Sequence, residues 1–335
     1  MRILEWLPRR WLSLLAWGAM AWLPVCSGTD ARRPGATSRT PTAEPFVVVL
    51  GTAQDAGYPQ SACRRDCCAE AWRDPSRRRL VSSLAIVDPL SRERWIIDAT
   101  PDFREQLHRL DAIAPFATSP SRAELDGFLL THAHIGHYTG LQQLGREAIG
   151  ERETAVYAMP RLSEFLRTNG PWSLLVSAGH IALRPLVADE PVRLNERLTV
   201  TPILVPHRDE YSETVGFRIA GPGRTVLFIP DIDKWEKWDR NVEDEIARVE
   251  IAYLDGTFYS AGELPGRDLS EIPHPLIEES MARFETLPPA VRARVRFLHL
   301  NHTNPALRAD SDAARELTRR GFTVAVEGEV VELGK

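Results

Sequence analysis

The stretch Gly127–Leu141, reading GFLLTHAHIGHYTGL, constrains this chain more than any other. An apolar run from Phe128 to Leu130 stops at Thr131, and three histidines follow within six residues: His132, His134 and His137. A short apolar run that breaks into clustered polar residues predicts a buried strand opening into a loop. In α/β sheets that end of the strand is where ligands bind. Neutral imidazoles ligate zinc, iron and similar ions. Those on alternating loop residues can face one ion while a third turns to a neighbouring one. The chain has nine histidines in 335 residues, so three in one six-residue window argue against scattered surface histidines.

The same strand-then-ligand theme recurs along the chain. Asp98 ends WIID, His207 ends ILVPH, Asp231 ends VLFIPD, Asp255 ends IAYLD, and His299 sits in FLHL with His302 three residues on. Any one of these fits a turn former or a cap, but their repetition points to a shared site. His274, between Pro273 and Pro275 in a Gly/Pro-rich excursion, is a candidate to contact substrate or protonate a leaving group. Cys63, Cys67 and Cys68 form a tight group. A disulfide plus one free thiol is one reading, although adjacent Cys67 and Cys68 would pair with strain; a closed zinc site of three thiolates and a histidine is the other.

Strand patterns run over Phe46–Leu50, Leu84–Val87, Trp95–Ile97, Phe128–Leu130, Val156–Met159, Leu183–Val187, Leu198–Val205, Thr214–Ile219, Thr225–Ile229, Ile251–Leu254 and Val295–Leu300, and they come in two batches, each with helices. Helices are predicted from Tyr138 to about Ile149, over Arg161–Arg167, Trp235–Arg248, Leu276–Phe284 and Pro305–Arg320. Two β-sheets packed face to face with helices outside fit this count better than a doubly wound parallel sheet. Gly51 to Gly57 does not match the G-x-G-x-x-G phosphate fingerprint. A net charge of −5 gives no reason to expect a nucleic-acid partner; a small-molecule substrate is expected instead.

The N-terminus stands apart. Arg2, Arg9 and Arg10 precede an apolar run from Trp11 to Val25, and Ser27, Gly28 and Thr29 follow. That order predicts a secretory signal over residues 1–27; a lipoprotein signal using Cys26 and an uncleaved anchor are alternatives. The chain is therefore expected in the periplasm or anchored on the outer face of the inner membrane, touching the membrane only through this segment. Residues 28–45 read as a flexible linker, and residues 46–335 as the folded domain.

THAHIGH followed by TGL resembles the H-x-H-x-D-H motif of the metallo-β-lactamase superfamily, and the order Asp98, His132/His134/His137, His207, Asp231 and a late histidine resembles that superfamily over nearly the whole mature chain. VVVLGTAQDAGYPQ, the cysteine group and HLNHTNP resemble the narrower family of coenzyme pyrroloquinoline quinone synthesis protein B-like proteins. The resemblance implies a four-layer αββα sandwich of two mixed sheets. It implies that His132, His134 and His207 hold a first ion, that Asp231 bridges, and that His137 and His299 hold a second. Asp98 would support the histidine loop by hydrogen bonding, and Cys63, Cys67, Cys68 and His302 would bind a structural zinc.

The chain departs from the motif where the aspartate between His134 and His137 is replaced by Gly136. Three consequences are open: a single ion, a substitute carboxylate from Asp55, Asp209 or Asp255, or binding without turnover. With zinc in the site, hydroxide formed there would attack an ester, amide, lactone or phosphodiester, and Asp231 would relay the proton. Mixed histidine and carboxylate ligands also suit iron or manganese. The expected function is a metal-dependent hydrolase. The rivals are an iron-dependent oxidative role in quinone cofactor synthesis and a non-catalytic metal-site binding protein.

Overall fold

The computed structural model describes residues 43–120 and 122–334; the expected export segment and most of the expected linker lie outside the described residues. The first sheet contains β1 (Phe46–Gly51), β2 (Ser83–Asp88), β3 (Glu93–Ile97), β4 (Gly127–Leu129), β5 (Thr154–Ala158) and β6 (Ile181–Pro185). The second contains β7 (Val192–Arg193), β8 (Thr199–Leu204), β9 (Val215–Ala220), β10 (Thr225–Ile229), β11 (Ile251–Asp255), β12 (Val295–Leu298) and β13 (Thr323–Val324). A last strand, β14 (Val330–Glu332), returns to the first sheet beside β1. The strand orders are β14-β1-β2-β3-β4-β5-β6 and β13-β12-β11-β10-β9-β8-β7.

Both sheets are mixed. Strands β3 to β6 run parallel, as do β10 to β13. The ligand-bearing ends of β3, β4, β10, β11 and β12 are therefore C-terminal ends of parallel strands, where ligand sites collect in open α/β sheets.

Strand periodicity builds the layers. In β1, Val47 and Val49 point between the sheets, and Phe46, Val48 and Leu50 point outward. The inter-sheet layer joins Val49, Leu84, Trp95 and Leu129 to Phe217, Ile219, Phe228 and Tyr253. Outside the first sheet lie α2 (Phe103–Ile113), α4 (Pro160–Thr168) and α5 (Trp172–Ser177), which bury Leu110, Leu162 and Leu175. Outside the second lie α1 (Asp66–Arg73), α6 (Val242–Ala247), α7 (Ile277–Phe284), α8 (Pro289–Arg292) and α9 (Asp312–Arg319), contributing Ala71, Ile246, Met281, Val291 and Leu317. This is the αββα sandwich.

Three helices differ from expectation. After the histidines, α3 spans only Ile135–Tyr138 and passes into a 3-10 segment, Thr139–Leu144. Gly140 explains the change: a Cβ there would lie 2.1 Å from the Thr100 carbonyl oxygen, so packing against the Asp98–Thr100 loop sets the path of the turn. Leu141 and Leu144 still point into the core. The expected helix over Trp235–Arg248 divides into a 3-10 turn, Trp235–Lys237, and α6, because Asn241 caps a new start by accepting from the Asp244 amide at 2.9 Å. The one expected over Pro305–Arg320 divides into a 3-10 turn, Pro305–Leu307, and α9, because Ser311 caps a new start by accepting from the Ala314 amide at 3.1 Å. Trp235 and Trp238 are buried, with their indole N–H groups donating to Ser280 and the Leu204 carbonyl, so both pack.

Candidate metal centre

The histidine loop leaves β4 beside Asp98, which follows β3. Asp98 is fully buried and has φ +66°; His299, one residue after β12, has φ +62°. Residues other than glycine rarely adopt the left-handed region, and such strain collects at functional sites.

Two matching hydrogen-bond relays orient four histidines. In the first, Asp98 accepts from the Thr131 amide at 2.8 Å, from the Thr131 hydroxyl at 2.9 Å and from His137 Nδ1 at 2.7 Å. Because the Thr131 hydroxyl donates to Asp98, it accepts from His132 Nδ1 at 3.0 Å. In the second, Asp255 accepts from the Thr257 amide at 2.9 Å, from the Thr257 hydroxyl at 2.7 Å and from His274 Nδ1 at 2.8 Å. The Thr257 hydroxyl in turn meets His299 Nδ1 at 2.9 Å. Each carboxylate holds one imidazole directly and a second through a threonine. Protons kept on Nδ1 of His132, His137 and His299 leave each Nε2 with its lone pair free to ligate.

Those Nε2 atoms converge on carboxylates. His132, His134, His207 and Asp231 form one group whose ligand atoms all lie within 4.8 Å of one another; Asp55, His137, Asp231 and His299 form a second. His132 Nε2 lies 3.4 Å from Asp231 Oδ2, and His207 Nε2 lies 3.3 Å from Asp231 Oδ1. In the second group, Asp55 Oδ1 lies 3.4 Å from His137 Nε2 and 3.2 Å from His299 Nε2. Ligand atoms about 2.0–2.1 Å from a tetrahedrally coordinated ion stand roughly 3.3–3.4 Å apart. The buried Nε2 atoms of His132, His137 and His207, and Asp231 Oδ1, have no hydrogen-bond partner among the described residues. Buried polar atoms left so cost about 1–3 kcal/mol each, which coordination relieves. The residues present fit a divalent ion.

The charges of His132, His207 and Asp231 favour ligating forms. Burial opposes a charge on His137, yet the carboxylates of Asp98 and Asp55 raise it well above the usual histidine range. Burial pushes His207 down to about 4 and holds His132 well below the usual histidine range, so both are neutral. Burial would raise Asp231, but the facing imidazoles of His207, His299 and His274 hold it well below the usual carboxylate range. Burial opposes a charge on His274 too, yet Asp255 and Asp231 raise it to about 9. His274 is buried against the centre, with Nδ1 3.2 Å from Asp231 Oδ1, rather than being a solvated loop residue.

The cysteines and His302 are brought together as well. Cys63 Sγ lies 3.7 Å from Cys67 Sγ, and His302 Nδ1 lies 3.6 Å from Cys67 Sγ and 3.4 Å from Cys68 Sγ. In the structure all three cysteines are free thiols. Sulfur atoms about 2.3 Å from a tetrahedral zinc stand roughly 3.7–3.8 Å apart, so this group fits a closed zinc site.

Of the three candidate substitutes for the missing carboxylate, Asp55 faces His137 and His299, Asp255 supports from behind, and Asp209 bonds Thr214 instead. Sequence reasoning missed Thr131 and Thr257, although a threonine beside a strand-end histidine or aspartate is a usable signal. It also missed Glu210, whose exposed carboxylate Oε2 lies 3.1 Å from His134 Nε2.

The sequence profile of the β-lactamase superfamily domain matches residues 93–300. The coenzyme PQQ synthesis protein B of Methylobacterium sp. (strain 4-46) is 28% identical over 309 residues, spanning 84% of this chain and 98% of that protein. The solved structure of Zn²⁺-bound PqqB from Methylobacterium extorquens superposes with a TM-score of 0.72 at 25% identity, covering 86% of this chain and 100% of that one. A diphosphatase from the PhnP family shares the fold, with a TM-score of 0.62 at 20% identity over 86% of this chain and 97% of its own. With its two mixed sheets between helices, its strand-end histidines and aspartates, and a profile match over more than half its length, the chain belongs to the β-lactamase superfamily, in the company of PqqB-like proteins.

Proposed function

We propose that this chain is a metal-dependent hydrolase of an ester, lactone or phosphodiester. The convergence of His132, His134, His207 and Asp231, with buried ligand atoms left unpartnered, carries the reading. His132, His134 and His207 would hold the ion with Asp231. Three imidazoles and one carboxylate suit zinc, and the Zn²⁺-bound PqqB structure supports that choice over iron or manganese. A bound zinc ion polarises a carbonyl or phosphoryl oxygen and acidifies water. Asp231, anionic and central, accepts and relays a proton. His274, held protonated between Asp255 and Asp231, donates towards a leaving group. Asp98 keeps His137 in place, and Cys63, Cys67, Cys68 and His302 would hold a structural zinc, which would tie α1 to the loop after β12.

The test pairs zinc counting with turnover of a generic phosphodiester and a generic ester. Asp231→Ala is expected to abolish hydrolysis. His132→Ala with His134→Ala is expected to remove an ion; retention of every ion by that double variant refutes the reading. Full zinc loading with no hydrolysis of either substrate class favours the binding protein.

A second reading, a role in pyrroloquinoline quinone synthesis using iron, is favoured by the match over 98% of a Methylobacterium synthesis protein. Iron in the purified chain together with substrate-dependent oxygen uptake would select it. The charged-then-apolar N-terminus supports export of this activity, which cell fractionation tests.

A further inference from the structure

Resting on the metal-centre reading above, we propose that Asp55, from the loop after β1, is the carboxylate of a second ion site completed by His137, His299 and Asp231. The chain thus replaces a side chain missing at position 136 with one delivered by another segment.

Asp55 occupies the space that position 136 leaves. A Cβ built on Gly136 would lie 2.6 Å from Asp55 Cα and 2.8 Å from both Asp55 Cγ and Oδ1. No side chain at 136 can coexist with Asp55 where it stands. The exchange is therefore reciprocal: glycine at 136 is the condition for Asp55 to reach His137.

The loop is built to hold Asp55 there. The Gln54 amide donates to the Leu300 carbonyl at 2.9 Å, and the Leu300 amide donates to the Thr52 carbonyl at 2.9 Å. The Asn301 side chain donates to the Gln54 side chain. Asp55 and His299 each lie one residue beyond this stitched pair, so their 3.2 Å approach is fixed by backbone rather than by flexible side chains. His137 comes from the opposite side on α3, with its Nε2 fully buried and unpartnered. Asp231 serves both groups: Oδ2 is 3.4 Å from His132 Nε2 and 3.7 Å from both His137 Nε2 and His299 Nε2.

The donor sets differ in character. The first site has three imidazoles and one carboxylate, whereas the second has two of each. The more oxygen-rich set favours harder ions such as manganese relative to the first.

The experiment counts ions. The purified full-length chain is stripped with a chelator and reloaded with zinc alone, and bound zinc is measured by mass spectrometry. The wild-type chain is expected to hold three ions: one at each histidine group and one at the cysteines. Asp55→Ala is expected to hold two. Gly136→Ala, which leaves every ligand present and only pushes Asp55 away, is also expected to hold two, with an unchanged circular dichroism spectrum. Three ions in both variants, or the same ion count in Asp55→Ala as in the wild type, overturn the proposal and leave the first ion standing. Loss of no ion on His132→Ala with His134→Ala instead overturns the metal-centre reading itself.

Discussion

Replacing Asp98 with asparagine tests how the site sets the protonation of its ligands. The Asp98 carboxylate accepts from the Thr131 amide at 2.8 Å, from the Thr131 hydroxyl at 2.9 Å and from His137 Nδ1 at 2.7 Å. An asparagine oxygen placed at Oδ1 keeps both threonine bonds. Its amide nitrogen then faces His137 Nδ1, donor against donor. The clash ends when the His137 proton moves to Nε2, and that atom can no longer ligate. Loss of a ligand-orienting partner typically weakens metal binding 10- to 100-fold, or about 1.4–2.8 kcal/mol. His132 keeps its bond to the Thr131 hydroxyl, so the ion on His132 changes less. The left-handed φ of +66° is no obstacle, because asparagine tolerates that region. Asp98→Ala is the contrast. It strands the buried Thr131 amide and His137 Nδ1–H, at about 1–3 kcal/mol each, and places alanine in a left-handed conformation, so it is expected to lower stability outright. Zinc titration against a chelator, with thermal melting of the metal-free chain, separates the two effects. Wild-type affinity for every ion in Asp98→Asn at unchanged stability refutes the argument.

Three further outcomes are expected. Cys68→Ser should remove one zinc per chain and lower the thermal midpoint by roughly 2–4 °C for each kcal/mol lost, because Cys68 is fully buried against His302; an unchanged zinc count refutes the cysteine site. Zinc binding there should weaken as pH falls from roughly 9 to 6. Burial raises the Cys67 thiol and pushes Cys68 up to about 12, so the ion-free thiols hold their protons and zinc must displace them; a flat affinity profile across that range contradicts thiolate ligation. Phe217→Ala, which empties a fully buried position between the sheets, should cost about 3–5 kcal/mol in urea denaturation while leaving the ion count intact; a loss below about 1 kcal/mol argues against a tightly packed inter-sheet layer.

Much of the architecture was legible in the chain because burial follows backbone period. The alternation in FVVVL sends Val47 and Val49 between the sheets and Phe46, Val48 and Leu50 against the outer helices. Element boundaries were less legible where tertiary contact overrides local preference. The turn after His137 follows Gly140 pressed on the Thr100 carbonyl, and α6 starts at a cap that a run of helix-forming residues does not reveal. Trp235 and Trp238, placed by the sequence in one helix, instead stand at a 3-10 turn and its C-terminal end, and pack through indole hydrogen bonds to α7 and β8.

For the site, the amino-acid sequence by itself determined the kinds of ligand and their home strands. Apolar runs ending in His132, Asp231 and His299 mark C-terminal ends of parallel strands, which face one edge, and His207 follows β8, whose neighbours run antiparallel. It also showed that position 136 lacks a carboxylate. Only the tertiary structure decided what that means. Asp55 stands in the volume beside Gly136 because the loop after β1 is stitched to the segment after His299, while His137 arrives from the other side. Periodicity along a chain records which residues are buried. It does not record which loops, distant in sequence, share one small volume, because that depends on how strand ends of two sheets meet.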